Sequence, residues 1–317
     1  MAEQEDAFIA NSNIDTPESI LLNRQDSFND ALEAIQNGKS VILFGPPGTG
    51  KTKMVYELLA KLKETDSLGK FESIQFHHKF TYEDFIEGYA PNESGGFYRK
   101  DGIFKTFIKS PSEDNKVDLF LIDEINRADL TTTFGELLFL MDDRHERSVK
   151  TSHFDEEIRL PVNTVIIGTM NTADRSIATI DFALRRRFTF VSLYTDYESI
   201  ASSYSARGVE GFEIDNLVNA AKKINHRIAQ NRLMGRHMEL GNSMWIPVGS
   251  GTIAPRDLLD LFRQSIIPQV EAYCGYGYED QMSKIFNQNI AQLYLNRNVI
   301  TTDDILGLIE DLANKKQ

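Results

Sequence analysis

The order of apolar and polar residues divides the chain in two. Up to about Thr195, short apolar runs alternate with helical patterns; beyond it only the helical period persists. Ile20, Leu21, Phe28, Leu32 and Ile35 recur at helical spacing and Gly38 follows as a stop, which predicts a helix from Pro17 to Asn37. Ser40–Phe44 reads as a short buried strand, followed by a glycine-rich turn and a helix from Lys51 to about Glu64. Further strands are predicted at Ser73–His77, Leu119–Ile122, Thr164–Thr169 and Phe188–Leu193. Strands separated by helices make a mostly parallel sheet with helices on both faces. Asp215–Asn231, Pro255–Tyr273, Tyr278–Leu295 and Thr301–Asn314 carry the helical period. The expected organisation is an N-terminal segment with a helix (1–39), an α/β domain (40–195) and a smaller helical domain (196–317).

Composition narrows the class without changing that picture. With 317 residues, 41% hydrophobic and 26% charged, the chain resembles ordinary globular proteins and excludes wholesale disorder or a coiled coil. The net charge of −13 argues against a nucleic-acid-coating domain. Nearly half of that excess lies in the acidic segment 1–39. A single cysteine, Cys274, can form neither an internal disulfide nor a Cys-based zinc site, which fits a reducing compartment. The acidic N-terminus lacks the features of a signal peptide, and the apolar runs are strand-sized, so no membrane span and a cytoplasmic location are expected.

Four stretches carry chemistry. Gly45, Pro46, Pro47, Gly48, Thr49, Gly50, Lys51 and Thr52 match the phosphate-binding loop and stand between a strand and a helix, as the mechanism requires. Backbone N–H groups there can surround a β-phosphate; Lys51 would reach the β/γ oxygens and Thr52 would ligate Mg²⁺. The apolar strand ending in Asp123 and Glu124 delivers two carboxylates where α/β sheets bind ligands. Asp123 would hold the Mg²⁺ shell and Glu124 would deprotonate the attacking water; the pair could also serve as a helix cap. In Thr164–Arg175, Asn171 ends the next strand and could hold that water, or simply start a turn. Arg185, Arg186 and Arg187 precede the last strand. They could neutralise γ-phosphate charge in the same subunit or a neighbour's, complement a helix end, or contact a nucleic-acid backbone.

In this order the motifs resemble the AAA+ NTPases, and more closely their McrB-type branch, the motor subunits of modification-dependent restriction systems. The resemblance rests on GPPGTGKT at 45–52, YEDFIEG at 82–88, LIDEINRADL at 121–130, MNTADRS at 170–176 and DFALRRRF at 181–188. It implies an AAA+ α/β core followed by a helical lid, hydrolysis of ATP or GTP with Mg²⁺, and a homo-oligomeric ring, usually a hexamer. It implies further that Asn171 is the sensor 1 residue, Arg186 a finger acting on the neighbouring subunit and Arg187 a neighbouring phosphate sensor. Arg127 and Asp174 fall where adjacent subunits or the water network meet the site, and Arg144–Arg159 resembles a hairpin insertion facing the pore. An McrC-like partner subunit is expected, with DNA engaged only through partners or the ring pore.

Two departures stand out. About 39 residues precede the motor where McrB proteins carry a DNA-recognition domain, so methyl-cytosine reading by this chain is not expected. The lid reads Leu240-Gly-Asn-Ser-Met-Trp245 where relatives tend to have Gly-His-Ser-Tyr, with Arg256 as a candidate substitute sensor. No residue reads a purine edge, so ATP is favoured only by its prevalence. A MoxR-like chaperone and a non-hydrolysing nucleotide switch are the rival readings. The first lacks MNTADRS and YEDFIEG; the second would lack Glu124 or the arginines.

Overall fold

Five parallel strands form the central sheet of the computed structural model, which describes residues 24–113, 115–142, 147–174, 182–275, 278–296 and 299–314. Helix α1 (Arg24–Gln36) leads into β1 (Ser40–Gly45), α2 (Lys51–Glu64) and β2 (Leu68–Gln75). Then come α3 (Tyr82–Phe85), the hairpin β3 (Glu87–Pro91) and β4 (Phe97–Asp101), α4 (Ile103–Ile108) and β5 (Val117–Asp123). Helices α5 (Leu130–Phe134) and α6 (Leu137–Asp142) and a second hairpin, β6 (Val149–Lys150) with β7 (Glu157–Ile158), precede β8 (Thr164–Asn171). Short α7 (Phe182–Arg185) then feeds β9 (Phe188–Ser192). The sheet order is β2-β5-β8-β1-β9.

Alternation along each strand splits the core into two layers. Val41, Leu43, Leu119, Leu121, Val165 and Ile167 pack with Met54, Val55 and Leu58 of α2. Ile42, Phe120, Ile122 and Ile166 face the other way, onto Phe85, Phe104, Phe107 and Phe134. The expected α/β class with a mostly parallel sheet is therefore what the chain adopts.

Beyond β9 the chain is helical: α8 (Tyr197–Arg207), α9 (Ile214–Gln230), α10 (Pro255–Leu261), α11 (Ile267–Cys274), α12 (Tyr278–Ile285), α13 (Gln288–Leu295) and α14 (Thr302–Asn314). They enclose a third core around Trp245, Phe262, Phe286 and Tyr204. Trp245 is fully buried there, and Tyr204 Oη donates to Trp245 O at 2.6 Å.

Several boundaries move for physical reasons. The second strand runs over Leu68–Gln75 and stops short of His77; as an edge strand it is half-buried, which blurs its apolar pattern. The single helix expected over Tyr278–Leu295 is two, because Asn287 caps a new start, its Oδ1 accepting from Ile290 N at 2.9 Å. Pro255–Tyr273 contains a π turn at Phe262–Ile266 just before Pro268, which has no N–H to continue the α ladder. Residues 17–23 of the first expected helix, Arg144–Glu146, Arg175, Ser176 and Asp181 lie outside the described residues. No described helix is long and apolar enough to cross a membrane.

Candidate nucleotide-binding site

β1 lies inside the sheet, between β8 and β9, and its C-terminal end opens into the loop Gly45–Gly50. Gly50 caps α2 at φ 83° and ψ 29°, a left-handed conformation that glycine adopts without steric penalty. Thr49 Oγ1 donates to Pro46 O at 3.0 Å and closes the loop on itself. Lys51 Nζ donates to Gly45 O (3.0 Å) and Pro46 O (2.8 Å), so the ammonium lies against the loop backbone. Burial pulls Lys51 down from 10.5 to about 8, with Glu124 and then Asp123 opposing the fall.

Parallel register brings the remaining candidates to the same sheet edge. Asp123 ends β5, and Asn171 ends β8 directly beside Gly45 of β1. Thr52 Oγ1 lies 3.4 Å from Asp123 Oδ1. The same carboxylate oxygen accepts from the Thr169 hydroxyl, and Thr169 Oγ1 accepts from Glu124 N at 3.1 Å. Glu124 is left-handed (φ 54°, ψ 46°), which turns the chain sharply off the strand into the 3₁₀ turn Ile125–Arg127. Arg127 then reaches back, Nε to Glu124 Oε2 at 3.4 Å and Nη2 to Asp174 Oδ2 at 3.3 Å. Asn126 Nδ2 donates to Asn171 O at 3.2 Å, tying the 3₁₀ turn to the end of β8. The Asn171 side chain itself starts a turn, its Oδ1 accepting from Ala173 N at 3.2 Å.

The arginines sit elsewhere. Phe188, the first residue of β9, pairs with Ser40, the first residue of β1. Arg186 and Arg187 are therefore at the strand-start edge, five residues or roughly 17 Å along the sheet from Gly45 in the same subunit. Both pair with Asp142 at the end of α6.

Two contributors escaped the sequence reading. Thr169 is a hydroxyl inside an apolar strand, and that misfit was its only signal. The lid loop is the other: Gly241 N donates to Pro47 O at 3.2 Å and Ser243 N to Gly48 O at 3.0 Å. A Cβ on Gly241 would lie 2.3 Å from both Gly48 C and Pro47 O, so only glycine permits this approach. The lid's departure from Gly-His-Ser-Tyr keeps the two residues, Gly241 and Ser243, whose backbone touches the phosphate loop. Asn242, at one of the two changed positions, accepts from Asp196 N at 2.8 Å. Arg256 is exposed at the start of α10.

Hydroxyl and carboxylate oxygens of Thr52 and Asp123, poised at the start of α2, make the hard donor set a Mg²⁺ ion requires. A phosphate loop at the carboxyl edge of a parallel sheet, an acidic pair one strand beyond its neighbour and a helical lid on the loop define an AAA+ ATPase. Residues 40–188 match the AAA domain (dynein-related subfamily), and the chain belongs to the McrB-like AAA+ ATPases. It is 37% identical over 247 residues to the type IV methyl-directed restriction enzyme EcoKMcrB subunit of Escherichia coli K12, covering 74% of this chain and 54% of that protein. It is 24% identical over 254 residues to the type II restriction enzyme BsuMI component YdiS of Bacillus subtilis 168, covering 64% and 73%. The chain thus spans about half the length of the Escherichia coli relative.

Proposed function

We propose that this chain is a Mg²⁺-dependent nucleoside triphosphatase, acting on ATP or GTP, that works as a ring. Its α/β part (40–195) is the nucleotide domain and residues 196–317 are the lid. The carrying observation is the convergence of Lys51, Thr52, Asp123 and Glu124 at one sheet edge. The loop Gly45-Pro46-Pro47-Gly48-Thr49-Gly50 wraps the β-phosphate, the N–H donors coming from Gly48, Thr49 and Gly50, and the Lys51 ammonium exchanges its two loop carbonyls for phosphate oxygens. Thr52 and Asp123 hold Mg²⁺, which neutralises charge on the phosphates. Glu124 takes the proton from the attacking water, and Asn171 orients that water. Arg127 steadies the Glu124 carboxylate and links it to Asp174.

The position of the arginines supports the ring. Arg186 lies exposed at the strand-start edge, roughly 17 Å along the sheet from its own phosphate loop, so the γ-phosphate it serves is assigned to a neighbouring subunit, with Arg187 beside it. We place the chain, in a hexamer, as the motor of a restriction system, driven by an McrC-like partner subunit that brings it to DNA; the likeness to two restriction subunits supports this.

The test is nucleotide binding and hydrolysis by wild type and Glu124→Gln, with and without Mg²⁺. Glu124→Gln should lose about 10²–10⁴-fold in kcat, the contribution of a positioned general base, and retain nucleotide affinity. Specific activity should rise with protein concentration. Full turnover by Glu124→Gln would reassign the base, and concentration-independent turnover by a proven monomer would remove the ring.

A further inference from the structure

Asp142 is the last residue of α6, 44 residues from Arg186 and 45 from Arg187. One of its oxygens, Oδ2, accepts from Arg186 Nη2 at 2.9 Å and from Arg187 Nη2 at 2.6 Å. The two guanidinium groups are unequal: the Arg187 side chain is 8% exposed, that of Arg186 65%. Arg187 is thus packed into the protein and anchors the carboxylate, while Arg186 stands on the surface and is held by it.

Two neighbouring cations repel, and an exposed arginine samples many rotamers. The Asp142 carboxylate, shared by both, offsets the repulsion and selects one direction for the Arg186 side chain. A finger acts on charge that develops only in the transition state, so its benefit depends on being held in place beforehand. We propose that Asp142 is a positioning residue for the reaction: Arg187 fixes Asp142, Asp142 fixes Arg186, and the chain of contacts presents the Arg186 guanidinium to the neighbouring subunit's nucleotide. This rests on the reading of Arg186 as a trans-acting group.

The experiment is a double-mutant cycle on the full-length chain with MgATP, read by steady-state kcat and KM and by single-turnover release of labelled γ-phosphate, which registers slow variants. Melting temperature is recorded for each. Asp142→Asn keeps size and shape and removes the charge. It should lower kcat about 10–100-fold, the range for misplaced catalytic groups, with KM changed less than about twofold. Asp142→Glu should recover part of the loss. In an Arg186→Ala background, Asp142→Asn should change the rate less than about twofold, because the group it positions is gone. Three results overturn the inference while leaving the trans finger standing. These are a full additional loss from Asp142→Asn in the Arg186→Ala background, unchanged kcat in the single variant, or raised kcat, which would make the contact a restraint. Full activity of Arg186→Ala would instead remove the finger itself, and the inference with it.

Discussion

Two lysines of the α/β part, Lys51 half-buried and Lys105 fully buried, are driven in opposite directions by their surroundings. Lys51 meets two neutral backbone carbonyls, and burial depresses it to about 8 even with Glu124 and Asp123 nearby. Lys105, on α4, is fully buried and bonds to Glu87 at the base of the first hairpin, to Glu156 at 2.6 Å and to Asp101 at 3.0 Å. Burial alone would lower Lys105, but hydrogen bonds to Glu156, Glu87 and Asp101 hold it well above its ordinary value. Carbonyl oxygens satisfy an ammonium's hydrogens and leave its charge unmatched, whereas carboxylates match both. The phosphate loop therefore keeps an uncompensated cation ready for an anionic ligand. The hairpin base is a closed ion cluster in which Lys105 occupies the space between three acids, holding β3, β4, α4 and the β6–β7 turn together.

The sharpest way to break that comparison is to remove each ammonium in turn. Lys105→Met leaves Glu87, which is 0% exposed, without its cation, and should destabilise the protein by about 3–5 kcal/mol. Urea or thermal unfolding measures it; an unchanged midpoint would mean the cluster is not structural. Lys51→Ala should do the reverse. A depressed lysine pKa means that folding disfavours the proton, a penalty fully present below about pH 8 and absent above the ordinary 10.5. At pH 7 the free variant should melt no lower than wild type while its nucleotide affinity collapses.

A smaller effect probes the lid. Gly241→Ala puts a methyl into the Pro47–Gly48 backbone, so the lid loop must lift away. The free protein should lose about 1–3 kcal/mol of stability, the usual range for overpacking, and nucleotide affinity should fall with it. Equilibrium titration with a fluorescent nucleotide checks it, and wild-type affinity would show that the loop contact is idle.

The smallest effect is the pH dependence of Lys51. Below about pH 8 the ammonium is already charged, and affinity should be flat. Above it, binding must first reload the proton, so nucleotide affinity should weaken toward tenfold per pH unit. Calorimetry in buffers of different ionisation enthalpy should show proton uptake at pH 9. A flat affinity between pH 7 and 9.5 would contradict the environment described for Lys51.

Residues close together along the chain carried their meaning openly. The five apolar runs of the sheet, the loop from Gly45 to Thr52 and the Asp123-Glu124 pair were legible because strand period and motif spacing are local. Covalent geometry alone puts Lys51 one residue past the loop and Glu124 one past the strand. The sequence by itself determined that this is a phosphate-loop α/β protein with a helical sequel. Only the tertiary structure decided what the polar groups do to one another. Thr169 reaches Asp123 across 46 residues, Lys105 reaches Glu156 across 51, and Asp142 reaches Arg187 across 45. Gly241 lies on Pro47 because the lid folds back onto a loop almost two hundred positions earlier. No local period records such pairings, since they arise when sheet register and helix packing bring distant segments to one edge, and the same residue types would serve elsewhere as surface charge or turn.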